Sequence, residues 1–176
     1  MVISIDPGSS GGIAWCSAEC DAAPMPKTRG DLIELFKSLL CPVTTAYIEK
    51  VNGYNPGGQG HQFQFGRNVE MPEAILETLG VRIVLVTPQQ WQKALGLGHR
   101  TKPETPLPRK PTPAQEKAYR SAAARCKTAW KNKLKSEAER RFPGIKVTLE
   151  TADALLLLDY AWRLENPRTP EQEMLA

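Results

Sequence analysis

Four carboxylates in this chain stand where apolar segments begin or end. Asp6 closes Val2-Ile3-Ser4-Ile5 and is followed at once by Pro7-Gly8. Glu49 closes the apolar run from Val43 to Ile48, just before a Gly- and Asn-rich stretch. Glu150 and Asp153 open the last apolar segment, three residues apart and so on one helical face. Taken singly, each has an ordinary explanation: a surface glutamate, a turn former before Pro-Gly, an acid favoured at a helix N-terminus. Together they describe a cluster whose members would repel one another and raise one another's pKa. Hard cations neutralise such a cluster, and an oxygen-only donor set suits Mg²⁺ or Mn²⁺. Two such ions about 4 Å apart are a standard device for hydrolysing phosphodiesters.

The elements that must bring these acids together are legible in outline. Residues 2–6 read as a buried strand, Pro7 to Gly12 as a turn, and Ile13 to Cys16 as a strand returning antiparallel. Thr28-x-x-Asp31 resembles a capping box ahead of Leu32, Ile33, Leu35, Phe36, Leu39 and Leu40 at helical spacing. Val43 to Ile48 is a third strand. Helical signals run from Gly66 to Leu79 with Gly80 as C-cap, and residues 81–86 form a strand. Thr87-Pro88 opens a short helix to Leu95. Ala114 to Arg141 reads as a long basic helix or helix pair, and Glu150 to Glu165 as the last helix. A hairpin followed by alternating helices and strands predicts an α/β fold with a mixed sheet of about five strands flanked by helices. The expected organisation is one domain over 1–165, with a Pro-rich basic loop at about 98–113 holding five prolines, and a tail over 166–176.

The formal net charge of +4 hides an uneven distribution. Residues 93–146 hold 15 Lys/Arg against 4 Asp/Glu, a net of +11, and the remainder carries a net of −7. A basic block on an acidic body points to a polyanionic partner, most often nucleic acid. No apolar run approaches the roughly 18 residues of a membrane span, so no membrane association is expected. The four cysteines form no Cys-x-x-Cys pair and only two histidines are present, which argues against a structural zinc site. Lacking a secretion signal, the sequence predicts four reduced thiols in a cytoplasmic setting, bacterial or in a phage-infected host.

Ile3-Ser4-Ile5-Asp6-Pro7-Gly8-Ser9, Tyr47-Ile48-Glu49 and Glu150-Thr151-Ala152-Asp153-Ala154-Leu155 resemble the motifs of RuvC-type Holliday junction resolvases, which are ribonuclease H-like endonucleases. Thr44 to Glu49 and Pro88-Gln89-Gln90-Trp91-Gln92-Lys93 look closer to the monokaryotic chloroplast and phage-type branch. The resemblance covers roughly residues 1–162. It implies a ribonuclease H-like sheet, with Asp6, Glu49, Glu150 and Asp153 as ligands of two Mg²⁺ or Mn²⁺ ions. Glu150 departs from the family's first acid of a terminal Asp-x-x-Asp. The resemblance also implies a catalytic lysine before the last motif, and Lys131, Lys133 and Lys135 all lie in that neighbourhood. Its further implications are a homodimer, a branched-DNA substrate (the four-way junction) and paired symmetric nicks leaving 5′ phosphates.

Tyr54, His61, Phe63 and Phe65 follow Glu49 and are candidates to stack on unpaired bases, while packing at a helix start explains the two phenylalanines equally well. Lys93, Arg100, Lys102, Arg109, Lys110 and Lys127 are candidates for phosphate contacts. Trp91 reads as packing. Leu76 and Leu79 are candidates to face a partner subunit. Three other readings compete: a broader branched-DNA nuclease, a non-catalytic junction-binding module, and a nucleotide-binding protein of the actin type. The last needs a second lobe that 176 residues do not supply.

Overall fold

The computed structural model describes residues 1–39, 41, 44–51 and 59–167, the side chains of 59–62, 64 and 65 excepted. Its elements are β1 (Val2–Asp6), β2 (Gly12–Cys16), β3 (Cys20–Pro24), α1 (Arg29–Leu39), β4 (Thr45–Glu49), α2 (Gln59–Thr78), β5 (Arg82–Val86), α3 (Pro88–Ala94), α4 (Pro113–Arg141) and α5 (Ala152–Glu165). They build a mixed five-stranded sheet flanked by helices, in the order β3-β2-β1-β4-β5. β1, β2 and β3 run antiparallel, whereas β4 and β5 run parallel to β1. This agrees with the α/β class read from the sequence.

Alternation along the strands divides the core in two. Ile3, Ile5, Ile13, Ala46 and Ile48 meet Leu32 and Phe36 of α1 and Leu76 of α2 on one face. Val2, Ala14, Tyr47 and Val86 meet Trp91 of α3, Leu134 of α4 and the apolar body of α5 on the other. α5 is buried nearly all round, from Ala152 through Leu158 and at Ala161. A helix without a polar face must be enclosed on several sides, and here the sheet lies on one side and α4 on another. Leu76, a candidate for a partner interface, is fully buried in the chain's own core.

Several local signals act as the sequence implied. Thr28 Oγ1 accepts from the Asp31 backbone N–H at the head of α1, and Gln90 Oε1 accepts from the Thr87 N–H at the head of α3. Other features differ. α2 begins at Gln59 rather than near Gly66. Of the long helix or helix pair expected over 114–141, the structure has the single helix, capped by Thr112 and opened by Pro113. β3 was not foreseen, because Cys20-Asp21-Ala22-Ala23-Pro24 has none of the β-branched or aromatic residues that mark strands. It forms because β2 leaves an edge that the hairpin fills.

The hairpin also corrects the expectation of four reduced thiols. Its register sets Cys16 opposite Cys20, and the two are joined as a disulfide. Cys41 and Cys126 are not disulfide-bonded. Among the described residues, no helix is long and apolar enough to cross a membrane.

Candidate active site

β1 and β4 are parallel neighbours with Ile5 opposite Ile48, so the next residue of each, Asp6 and Glu49, leaves the sheet at the same edge. Both fall on the face covered by α5, since Ile5 and Ile48 take the opposite face. The first turn of α5 supplies Asp153, which is only 8% exposed. Ser4 draws that turn onto β1: its buried hydroxyl donates to the Ala154 carbonyl at 2.7 Å.

Glycine permits the same approach from β2. A Cβ on Gly12 would lie 2.7 Å from the Glu150 carbonyl oxygen and 3.0 Å from Thr151 Cα, and one on Gly11 would lie 1.9 Å from the Asp6 carbonyl oxygen. No side chain fits at either position. Thr148 Oγ1 accepts from the Thr151 N–H at 3.2 Å and from the Glu150 N–H at 3.3 Å, turning the chain into α5.

Burial raises the pKa of Asp6 well above the ordinary aspartate value, and the nearby Glu49 and Asp153 carboxylates push it further, against the pull of Lys131. Burial and Asp153 raise Glu49 to about 7, opposed by a hydrogen bond from Trp91 and by the Lys131 charge. The Lys131 ammonium donates to Asp153 Oδ2 at 2.5 Å. Burial disfavours its charge, but Asp153, Asp6 and Glu49 together outweigh that and raise its pKa. Three carboxylates and one ammonium therefore share one electrostatic site.

The structure distinguishes the three candidate lysines. Lys131 enters the cluster, Lys133 Nζ donates to the Leu97 carbonyl at 2.7 Å, and Lys135 pairs with Glu139 on its own helix. Lys131 precedes the buried Leu134 and Ala138 by three and seven residues, a spacing that puts it on the stripe facing α5. Glu150 is exposed on the turn before α5, and it is not among the charges that shift Asp6 and Glu49.

Two contributors escaped the sequence reading. Trp91 is fully buried and its indole Nε1–H donates to Glu49 Oε2 at 2.9 Å. A buried indole N–H needs an acceptor; α3 follows β5, the neighbour of β4, so Glu49 was within reach. Ser4, an isolated polar residue in an apolar strand, was the other available signal.

The donor set fits a hard divalent cation. All three side chains offer oxygen, and a single ammonium opposes their mutual repulsion. Asp153 Oδ1 is buried and has no hydrogen-bond partner, which a cation would remedy. Among the described residues, no three His, Cys, Asp or Glu side chains close around one point as a finished coordination shell would; Lys131 occupies one of the Asp153 oxygens instead.

Of the residues with candidate DNA roles, Lys93, Arg100, Lys102, Arg109, Lys110 and Lys127 are all exposed. Phe63 is 70% exposed, so it is not core packing. His61 and Phe65 lie on α2 with side chains outside the described residues, and Tyr54 lies outside them altogether.

The order and direction of this sheet, with acids on its central strands and on a covering helix, match a RuvC-like fold. The structure is similar to that of Thermus thermophilus RuvC, with a TM-score of 0.53 at 14% identity over 93% of this chain and 95% of that one. It is similar also to T. thermophilus RuvC in complex with a Holliday junction substrate, with a TM-score of 0.53 at 12% identity over 94% and 96% of the two chains. At such identity the likeness concerns the fold. No protein-family model matches the sequence, and no curated protein matches it.

Proposed function

We propose that the protein is a structure-selective endonuclease that resolves four-way DNA junctions by paired, symmetric nicks. The observation that carries this reading is the burial of Asp6, Glu49 and Asp153 together at one sheet edge with Lys131 among them. An enzyme that merely needed stability would not retain three mutually repelling acids beside an orphaned carboxylate oxygen. The RuvC-like fold supports the substrate class, and the exposed basic block supports a nucleic-acid partner.

In this reading Asp6, Glu49 and Asp153 hold two Mg²⁺ or Mn²⁺ ions, with Glu150 at the rim. When bound, these ions supply Lewis acidity toward a phosphodiester and neutralise the carboxylates. Lys131, released from part of its pairing with Asp153, stabilises charge that develops on the phosphoryl oxygens. Trp91 fixes the orientation of Glu49, and Ser4 and Gly12 fix the start of α5 on which Asp153 rides. Water adds at phosphorus, the bond to the 3′ oxygen breaks, and the product keeps a 5′ phosphate.

Paired cuts need two sites, so the active form is a homodimer. Support comes from a largely apolar groove of about 600 Å³ between α1 and α2, lined by Ile33, Met71, Ile75 and Leu79 among others. Thr44 to Glu49 and Pro88 to Lys93 support kinship with the chloroplast and phage-type branch. The setting proposed is the cytoplasm of a bacterium or phage-infected cell.

A cleavage panel of four-way junction, fork, flap and linear duplex tests the reading. Preferential, paired nicking of the junction is expected. Equal cutting of all branched forms would replace the resolvase with a broader branch nuclease, and equal cutting of linear duplex would overturn structure selectivity.

A further inference from the structure

Residues 98–130 hold eight Lys/Arg against two Asp/Glu, and all eight cations are exposed. Not one residue of this stretch is buried. The buried side chains of α4 are Leu134 and Ala138, both beyond it. The first half of α4 therefore contributes nothing to the core that would account for its length. Glu116 pairs with Arg120 on the helix surface, which leaves seven of the eight cations without an acid partner within ion-pair distance among the described residues.

The Pro-rich segment lies along this half of the helix and leaves an open groove of about 750 Å³, lined by Lys102, Tyr119 and Arg125 among others. A surface this basic, with one aromatic side chain lining its groove, suits the sugar-phosphate backbone rather than stacked bases; single-strand binders present several aromatic platforms. At 1.5 Å per residue, Lys117 lies about 21 Å along α4 from Lys131. That is the length of about six base pairs at 3.4 Å per step.

We infer that the first half of α4, with the Pro-rich segment beside it, is an electrostatic arm that holds the phosphate backbone of a duplex about six base pairs from the cleavage site. Lys117, Arg120 and Arg125 are its contacts on the helix. The inference rests on the endonuclease reading for its geometry, but the surface would bind duplex DNA whether or not the chain cuts.

The test is a triple variant, Lys117→Gln, Arg120→Gln and Arg125→Gln, measured for binding to a four-way junction and to linear duplex over a salt series. The slope of log K against log salt should become shallower by about 2 to 3, close to one per lost phosphate contact. Its melting temperature should match the parent's, because all three side chains are exposed. Shortening the junction arms from about 12 to about 4 base pairs should weaken the parent more than the variant, which keeps the cations of the Pro-rich segment but has lost those on the helix. An unchanged salt slope would overturn the arm, as would single-stranded DNA binding more tightly than duplex through these residues. A parent that binds duplex with this slope yet cuts no junction would overturn the nuclease reading and keep the arm.

Discussion

At the sheet edge, Asp6, Glu49 and Asp153 are enclosed by β1, β4 and α5, and their charge is opposed by one ammonium at hydrogen-bond distance. Along residues 98–130 the charge has the opposite sign, and none of it is buried. The first region raises its own pKa values and spends stability to do so. The second costs the fold almost nothing, because each cation stays in water until a polyanion arrives. The contrast separates chemistry from affinity: changes at the sheet edge should strike turnover and pH behaviour, and changes on the arm should strike salt dependence.

The largest effect outside the carboxylates should come from Lys131→Met. It removes the ammonium that pairs with Asp153, and we expect turnover to fall about 10²-fold or more, with junction affinity retained. Lys133→Met and Lys135→Met should stay near the parent in turnover, since their partners are Leu97 and Glu139. Equal losses in all three would break the distinction drawn between them.

Trp91→Phe keeps most of the packing and deletes the N–H that Glu49 accepts. A loss of about 10- to 100-fold in turnover is expected, with little change in KM. A histidine at the same position, which retains a ring N–H, should recover part of it. A pure packing role would instead lower the melting temperature and leave turnover of the folded fraction intact.

The pH dependence follows from the sign of the shifts. Glu49 moves from 4.5 to about 7, so between these values the native state binds more protons than the unfolded state. Stability of the cation-free protein should therefore fall as pH rises from 4.5 to about 7. The raised Asp6 acts in the same direction. Mg²⁺ should flatten that decline, and thermal melts at several pH values with and without the ion would check it.

The smallest effect expected is on stability. Ser4→Ala removes the hydroxyl that holds β1 to α5 and leaves the Ala154 carbonyl short of a donor, a loss of about 1 to 2 kcal/mol by denaturant unfolding.

How much of this could be read in advance differed between the two regions. The basic block needed only counting. The sheet edge was visible where the chemistry follows local pattern: Asp6 and Glu49 each sit one residue past a buried isoleucine, and parallel pairing does the rest. Asp153 was placed by its spacing from an apolar helix. β3 was invisible because its pairing partner, not its own residues, makes it a strand. The choice of Lys131 depended on helical phase against Leu134 and Ala138, and the sequence left the three lysines level because it did not show which stripe of α4 faces α5. Trp91 was classed as packing, which its burial supports, but its N–H does a second task that only the end of β4 could disclose. The disulfide depended on the register of a hairpin whose second strand had not been seen.

The central claim is that the buried acids perform hydrolysis and the surface performs binding. Asp6→Asn, assayed with Mg²⁺ for junction binding and junction cleavage in the same preparation, tests it most directly. The account predicts cleavage reduced by about 10³-fold or more while junction affinity stays at or above that of the parent. Cleavage at the parental rate by a folded Asp6→Asn protein would contradict it.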